Sequence, residues 1–356
     1  MKINEIFSQF LTDSTFLNSL EFGDGNIHST YFINSKEGKK FILQKFNDYV
    51  FKDPIGLMKN TAIISDHLSG KIKERSLSWK FPKFSKTLDG SLFITDEEGK
   101  IWRLMDYIDH DPEAGKNDMS NFTAGSSFGQ FIDLLSDLPA EKIVDTIPNF
   151  HNLPFRLENF KKSINSTSEK LREEAENQIK ALLDREEKML TIPNLLSSGK
   201  LPIRLVHMDT KLDNILFDKD ANPVAIIDLD TVMPGIVHSD FGDALRSLEN
   251  SVAEDEPDLS KMKLRIDAFT DYTRGFASSL KNLLIPAEVE SLYLAPSMFA
   301  YMQAVRFLSD YLDGNKYYNI KYPEHNMVRT LNQIHLLELM EEKEEEMRDI
   351  VSREFH

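Results

Sequence analysis

The sequence predicts an α+β protein in two parts, a small mixed β N-terminal lobe over residues 1–106 and a larger, mainly helical C-terminal lobe over residues 107–356. Three observations point there. Short apolar runs broken by glycine-bearing turns fill much of the first part. Apolar residues at helical spacing fill most of the second. A single strand–turn–strand stretch, 205–230, interrupts the helical part.

Taken in order, residues 1–20 read as a short amphipathic helix, with Phe7, Phe10, Leu11 and Leu17 able to cover a neighbouring lobe. From Phe22 the pattern changes to strands, in TYFINSKEGKKFILQKF and LFITDEEGKIWRLMDYI. NSKEGKK and TDEEGK have the form of hairpin turns, with Gly38 and Gly99 available for positive φ. A helix is expected between them, around 54–70, and the first part ends near Asp106. GSSFGQFIDLLSDL then has helical spacing, and the charged, periodic SEKLREEAENQIKALLDREEKML reads as one solvent-facing helix. Helical patterns return at 258–282, 287–311 and 323–348; the carboxylate run EEKEEEMRD at the end reads as a solvated helix terminus.

A hydrophobic fraction of 41% supports a substantial core, and 356 residues suffice for two lobes. The net charge of −16 argues against a nucleic-acid partner. It leaves room for an anionic nucleotide neutralised by magnesium and a few local cations. With no cysteine, disulfides, thiolate catalysis and zinc–thiolate sites are excluded. MKINEIFSQFLTDSTF lacks the unbroken apolar core of a signal peptide, and no apolar run approaches the roughly 20 residues needed to span a bilayer. A cytoplasmic protein with neither membrane nor nucleic-acid partners is expected.

The stretch LVHMDTKLDNILFDKDANPVAIIDLD carries the chemistry. NILFD and VAIIDLD read as strands around the turn formers DKDANP. A hairpin centred near Ala221 sets Asn214 opposite Asp228, Leu216 opposite Ile226 and Asp218 opposite Val224. An amide oxygen and a carboxylate then sit close enough to share one hard cation such as Mg²⁺, which takes oxygen ligands and keeps several waters. Asp230, two residues on, is expected on the same strand face, to take a second magnesium, bind substrate or serve as a turn residue. Asp209, in the preceding loop, is the candidate base, orienting a hydroxyl and accepting its proton late. His207 reads as support for that loop. The set suits magnesium-dependent phosphoryl transfer.

Other segments supply the remaining parts. In FGDGNIHSTYFI, Gly23 and Gly25 permit a tight turn whose backbone N–H groups face phosphate. FILQK offers Gln44 and Lys45, of which only one can point into a cleft, because neighbouring strand side chains alternate. WRLMDYIDH joins the two parts, with Met105 and Tyr107 as candidates to line an adenine site. In HSDFGDALRS, Asp240 and Asp243 are expected to cap and brace the helix that follows.

These residues resemble the aminoglycoside phosphotransferase and choline kinase superfamily, which has a protein-kinase-like, bilobal fold. HMDTKLDN is similar to that superfamily's H-x-D-x-x-x-x-N pattern, with Asp209 at the catalytic aspartate, Asn214 at the magnesium asparagine and, from IIDLD, Asp228 at the metal aspartate. Met208 stands where glycine is usual. Within the superfamily, GDGNIHSTYF, FILQKFNDYVFKDPIGLMKN, HMDTKLDNILFD, IDLDTVMPG, SDFGDALRS and RFLSDYLDGNKYYNIKYPEHNMVRTLNQ resemble N-acetylhexosamine 1-kinases. That resemblance implies ATP-dependent transfer to the anomeric hydroxyl of GlcNAc or GalNAc, in intracellular amino-sugar salvage. It assigns nucleotide binding to 1–106 and catalysis and substrate binding to 107–356. One departure stands out: DPIGLMKNTAIISDHL has no glutamate to pair with a strand lysine.

For a sugar acceptor, candidates are Arg306, on an expected helix after YMQAV, with Tyr317, His325 and Arg329; His28 and Asp230 approach from the active-site side. Tyr317 or Tyr318, in LDGNKYY, can stack on a sugar face. Choline, homoserine or an aminoglycoside as substrate, and a catalytically silent nucleotide-binding protein, are the alternatives.

Overall fold

A computed structural model describes residues 2–22, 28–47, 51, 53–114 and 120–356. The chain forms two compact units, each discontinuous in sequence. The first comprises Met1–Met119, Leu134–Pro148 and Asp213–Pro234; the second comprises Ser120–Asp133, Asn149–Leu212 and Gly235–His356.

The first unit is built on an antiparallel five-stranded sheet. Its strands are β1 (Phe16–Glu21), β2 (Ser29–Ser35), β3 (Lys40–Lys45), β4 (Ile94–Thr95) and β5 (Ile101–Asp106), in the order β1-β2-β3-β5-β4. Gly38 (φ 81°) and Gly99 (φ 77°) close the β2–β3 and β4–β5 turns in the left-handed conformation that glycine adopts without strain. Alternation divides the sheet's residues. Phe41, Leu43, Trp102 and Leu104 join Ile6, Phe7 and Phe10 in one apolar cluster, while Ile42, Gln44, Arg103 and Met105 take the other face.

The N-terminus departs from the single helix expected over 1–20. Only α1 (Ile3–Phe7) is helical; Phe10 bridges to Thr87, and β1 begins at Phe16. The helix closes at Ser8, whose hydroxyl bonds to Glu5 O, and the short polar residues of TDST hold the loop that follows, with the Thr12 hydroxyl bonded to Ser14 O and the Thr15 N–H to Glu37. Phe7 and Phe10 are buried as expected, but Leu11 and Leu17 are exposed. Helix α2 (Pro54–Glu74) matches its expectation and runs longer, starting at Pro54 with the Asp53 carboxylate accepting the Gly56 N–H at 2.8 Å.

The second unit is helical. It holds most of α3 (Asn121–Leu135), then α4 (Leu153–Ser166), α5 (Glu169–Glu174), α6 (Glu176–Leu183), α7 (Glu186–Met189) and α8 (Thr191–Ser197). After strand β6 (Arg204–Val206) come α9 (Val237–Glu249), α10 (Ile266–Leu280), α11 (Pro286–Leu292), α12 (Ala295–Leu312), α13 (His325–Glu342) and α14 (Glu344–Phe355). Its core includes the rings of Phe241, Phe269, Tyr272 and Phe276. Helices α3 and α10 pack so closely that a Cβ on Gly125 would sit 2.1 Å from the Tyr272 carbonyl oxygen.

Three expected long helices are broken. The charged stretch 168–190 divides into α5, α6 and α7, and the carbonyls near the second break are taken by Tyr301 Oη (on Leu182, 2.9 Å) and Arg185 (on Ala181, 2.9 Å). Residues 287–311 divide into α11 and α12 because Pro296 belongs in a first turn, not a helix interior. The expected 323–348 helix stops at Lys343. Glu344, Glu345 and Glu346 therefore open a new helix, where carboxylates complement the helix dipole, rather than ending an old one. The 258–282 helix starts only at Ile266.

Candidate active site

Strands β7 (Ile215–Phe217) and β8 (Pro223–Ile226) form the expected antiparallel hairpin in the first unit, one residue out of the expected register. Ile215 pairs with Ile226 and Leu216 with Ala225, and a bulge then sets Phe217 against Pro223. The turn explains the slip. The Asp218 N–H donates to Asn222 O, the Asp218 carboxylate accepts from the N–H groups of Asp220 and Asn222, and Ala221 takes φ 58°. Asn214 consequently faces Ile227, whose N–H donates to Asn214 O at 2.9 Å, and Asp228 is one residue beyond. Asp228 leaves the strand in a left-handed conformation (φ 60°, ψ 54°), and Leu229–Thr231 form a 3-10 turn. Asp230 therefore does not continue a strand face shared with Asp228.

Asp230 is buried. Arg103 Nη1 reaches its Oδ1 at 2.7 Å, Arg103 Nη2 its Oδ2 at 2.7 Å, and His28 Nε2 its Oδ2 at 2.9 Å. Burial pushes this carboxyl up, but the guanidinium charge and the two partners' hydrogen bonds outweigh it and hold Asp230 well below the usual carboxylate range. His28 Nδ1 accepts the Asn47 N–H at 3.1 Å, so Nε2 is the donor toward Asp230. Gln44 lies directly across from Arg103, and its Oε1 accepts from Arg103 Nε (2.8 Å) and Nη2 (2.6 Å). Lys45 takes the opposite face, 5.5 Å above the Trp102 ring and 4.0 Å from Glu98. Met105 is buried on the Gln44 face. Tyr107 packs edge-on to Phe32, with Lys40 5.5 Å above its ring. Gly23 and Gly25 lie outside the described residues. Helix α2 presents Asn60, not a carboxylate, to the segment around Val144.

In the second unit, β6 leads into His207, Met208 and Asp209. The His207 ring is buried between Phe128 and Phe131, with centroids at 5.7 and 5.4 Å. Met208 takes φ 66°, which accounts physically for a preference for glycine at this position. Asp240, in the first turn of α9, was expected to cap that helix. Its carboxylate instead clamps the preceding loop, accepting the His207 N–H at 2.7 Å and the Met208 N–H at 2.8 Å, while its carbonyl accepts from Thr210 Oγ1. Burial pushes the Asp240 carboxyl up to about 6, against the pull of His207 and these two donors. Burial also raises Asp243, which lies near Arg246 and Asp209. The Asp209 carboxylate is mostly covered and has Lys211 Nζ at 2.9 Å.

The late candidates separate. Arg306 and Tyr317, with Arg156, Ser163, Ser309 and Tyr318, line a cavity of about 370 Å³ in the second unit. Two acids border it, but Asp310 accepts from the N–H groups of Lys316, Tyr317 and Tyr318 and from Asn326, and Asp313 accepts from Ser163. Arg306 donates to Gln303 and lies 5.7 Å above the Tyr318 ring. Arg156 Nε and Tyr318 Oη are buried at this cavity without a partner. His325 is fully buried, holding Lys321 N and Asp255, and Arg329 lies over the Phe307 ring. These two do not line the cavity.

Sequence reasoning missed Arg103, Arg156 and the loop-clamping role of Asp240. An arginine inside the apolar strand IWRLM was the available signal for Arg103, since a buried cation needs a buried acid. No local signal marked Arg156.

Among solved structures, the chain is similar to an aminoglycoside phosphotransferase from Alicyclobacillus acidocaldarius subsp. acidocaldarius DSM 446, at 11% identity and a TM-score of 0.61, covering 100% of this chain and 96% of that one. It is similar to a microcompartment-associated aminopropanol kinase at 15% identity and a TM-score of 0.60, covering 97% of each. It is also similar to a spectinomycin phosphotransferase in complex with ADP and spectinomycin, at 14% identity and a TM-score of 0.55, covering 95% and 97%. These are likenesses of fold, and they match the protein-kinase-like α+β architecture expected from the motifs. No helix among the described residues is long and apolar enough to cross a membrane. Residues 20–274, well over half of the sequence, match the APH phosphotransferase enzyme family, and the chain belongs to that family.

Proposed function

We propose that the protein transfers the γ-phosphoryl group of ATP to the anomeric hydroxyl of an N-acetylhexosamine, GlcNAc or GalNAc, giving the sugar 1-phosphate. The observation that carries the acceptor reading is the chemistry of the cavity at Arg306. Arg156, Arg306, Lys162 and neutral hydroxyl and amide groups line it, and both bordering aspartates are engaged within the fold. A polycationic aminoglycoside calls for free acids. A quaternary ammonium calls for a cage of open aromatic faces; Arg306 already lies over Tyr318, which leaves Tyr317 as a single face. A neutral sugar offers oxygen acceptors to the guanidinium and hydroxyl groups among these lining residues.

The ADP in the spectinomycin phosphotransferase supports nucleotide use. On the nucleotide side we assign Gly23 and Gly25 to the phosphates. Gln44, Lys45, Met105 and Tyr107 are the remaining candidates, and Gln44 is favoured over Lys45 because it shares a sheet face with Met105. The donor set fits magnesium: Asn214 and Asp228 are hard oxygen donors one hairpin step apart. Asn214 and Asp228 would hold the cation, and Mg²⁺ would leave room in its shell for phosphate and water. When bound, magnesium offsets charge on the phosphate oxygens. Asp209, five residues before Asn214 in sequence, orients the acceptor hydroxyl. The acceptor oxygen bonds to the γ-phosphorus, the bond to the bridging oxygen of ADP breaks, and the hydroxyl proton passes late to the Asp209 carboxylate.

The test is a panel of N-acetylhexosamines, choline, homoserine and aminoglycosides with ATP and Mg²⁺, read by ADP release, with NMR locating the phosphorylated carbon. Transfer to C1 of GlcNAc or GalNAc is expected; turnover of another class instead overturns the sugar reading, and nucleotide binding with no transfer marks a silent protein. Asp209→Asn should lower turnover by about 10²–10⁴-fold while nucleotide binding persists.

A further inference from the structure

Asp228 holds a left-handed backbone without being glycine. That conformation costs an L-residue about 1–2 kcal/mol, less for aspartate than for most, and persists only where neighbours over-determine it. Two anchors flank it. Before it, the Ile227 N–H is bonded to Asn214 O. After it comes the 3-10 turn whose middle residue is Asp230, held by three donors: two from Arg103 and one from His28.

Each of those donors is itself fixed. Arg103 is oriented by Gln44 and packed at 4.8 Å from the Phe46 ring and 5.5 Å from the Phe84 ring. His28 is held by the Asn47 N–H and stacked on Phe51 at 5.4 Å. Both oxygens of Asp230 are already engaged in short bonds, so a direct cation or sugar contact there would have to displace the guanidinium or the imidazole.

We infer that Arg103 and His28 are positioning residues for the cation-holding Asp228, acting through Asp230. This rests on the proposed function and assigns Asp230 and His28 to orientation, not to substrate contact. The tether runs from β3 and β5 to the turn after β8, in a chain whose α2 supplies no glutamate to a strand lysine.

The experiment is Mn²⁺ binding followed by electron paramagnetic resonance, with and without AMP-PNP, on the full chain and on Arg103→Lys, His28→Gln and Asp228→Asn, with melting curves for each. Lysine keeps the charge but cannot span both Asp230 oxygens and Gln44. Arg103→Lys should weaken nucleotide-dependent Mn²⁺ binding by about 10- to 100-fold and His28→Gln by less, with metal-free AMP-PNP binding unchanged in His28→Gln, which leaves the Arg103–Gln44 bonds in place. The Mg²⁺ concentration for half-maximal turnover should rise in parallel, with the acceptor KM unmoved; a merely structural role would leave that concentration alone. Folded Arg103→Lys and His28→Gln variants binding Mn²⁺ within twofold of the parent overturn the inference; if Arg103→Lys fails to fold, His28→Gln decides it. If Asp228→Asn also binds like the parent, the metal assignment in the proposed function fails instead.

Discussion

Asp230 in the first unit and Asp240 in the second do one job by opposite electrostatics. Each is a buried carboxylate beside a non-glycine residue with left-handed backbone, Asp228 (φ 60°) and Met208 (φ 66°). Each of those neighbours belongs to the segment carrying a candidate functional carboxylate, Asp228 itself and Asp209. Asp230 is held by a guanidinium and an imidazole, and its carboxyl is kept well below the ordinary range. Asp240 is held by two backbone N–H groups, and burial pushes it up to about 6. The difference teaches that the charge of the partner, beyond its hydrogen bonds, sets which way a buried acid's pKa moves. At Asp240 two backbone N–H bonds do not outweigh desolvation, whereas at Asp230 the guanidinium adds a full opposite charge that does.

Removing the partner of each clamp should separate them most. Arg103→Met strands the Asp230 charge in the core and should cost about 3–5 kcal/mol. Asp240→Ala leaves two N–H groups unpaired, at about 1–3 kcal/mol each, but also removes a carboxylate that burial disfavours, so the net loss should be smaller. Urea midpoints at pH 7 check the order; equal losses would break the comparison.

The pH dependence should differ in sign. For Asp240 the folded value of about 6 lies above its ordinary 3.8, so the folded state binds more protons between them. Its contribution to stability therefore declines as pH rises from about 4 to about 6, by about 3 kcal/mol, and is flat above. Asp230 is depressed, so its stabilisation is complete above the ordinary carboxylate range and is lost as pH falls below it. Denaturation curves of the parent and Asp240→Asn across pH 4–7 should diverge with this slope; a constant gap would refute the raised value.

The smallest effect sharpens the Asp240 side. A Cβ on Gly235 would sit 2.2 Å from Met208 Cε and 2.9 Å from Val206 Cγ2. Gly235→Ala should destabilise the parent by about 1–3 kcal/mol. In a Met208→Gly background the penalty should shrink by about 1 kcal/mol, a coupling that a double-mutant cycle on thermal unfolding measures.

Particular elements mark what is legible in the sequence. The β2–β3 and β4–β5 hairpins are legible because glycine turns and alternation are local. The hairpin after residue 214 is legible as a hairpin but not in its register, since the Asp218 turn bonds and the Phe217 bulge depend on side-chain geometry that a turn centre does not specify. Helix breaks at Ala175 and Lys343 escape a reading by period, because both flanks keep helical spacing. The sequence marks Asp240 but ties it to the wrong segment, because helix capping is the local option and the loop it clamps is 33 residues earlier.

The chain's order of residues determined by itself the family's motif, the strand and helix types, and the residue kinds offered for phosphoryl transfer, because period, turn chemistry and motif spacing act over a few residues. Tertiary structure alone decided which acid Arg103 would neutralise, 127 residues away, and which acid would hold the His207 loop. Burial and partner charge exist only once distant segments are packed, and those two quantities set whether a buried aspartate is anchored as an anion or pushed toward its neutral form.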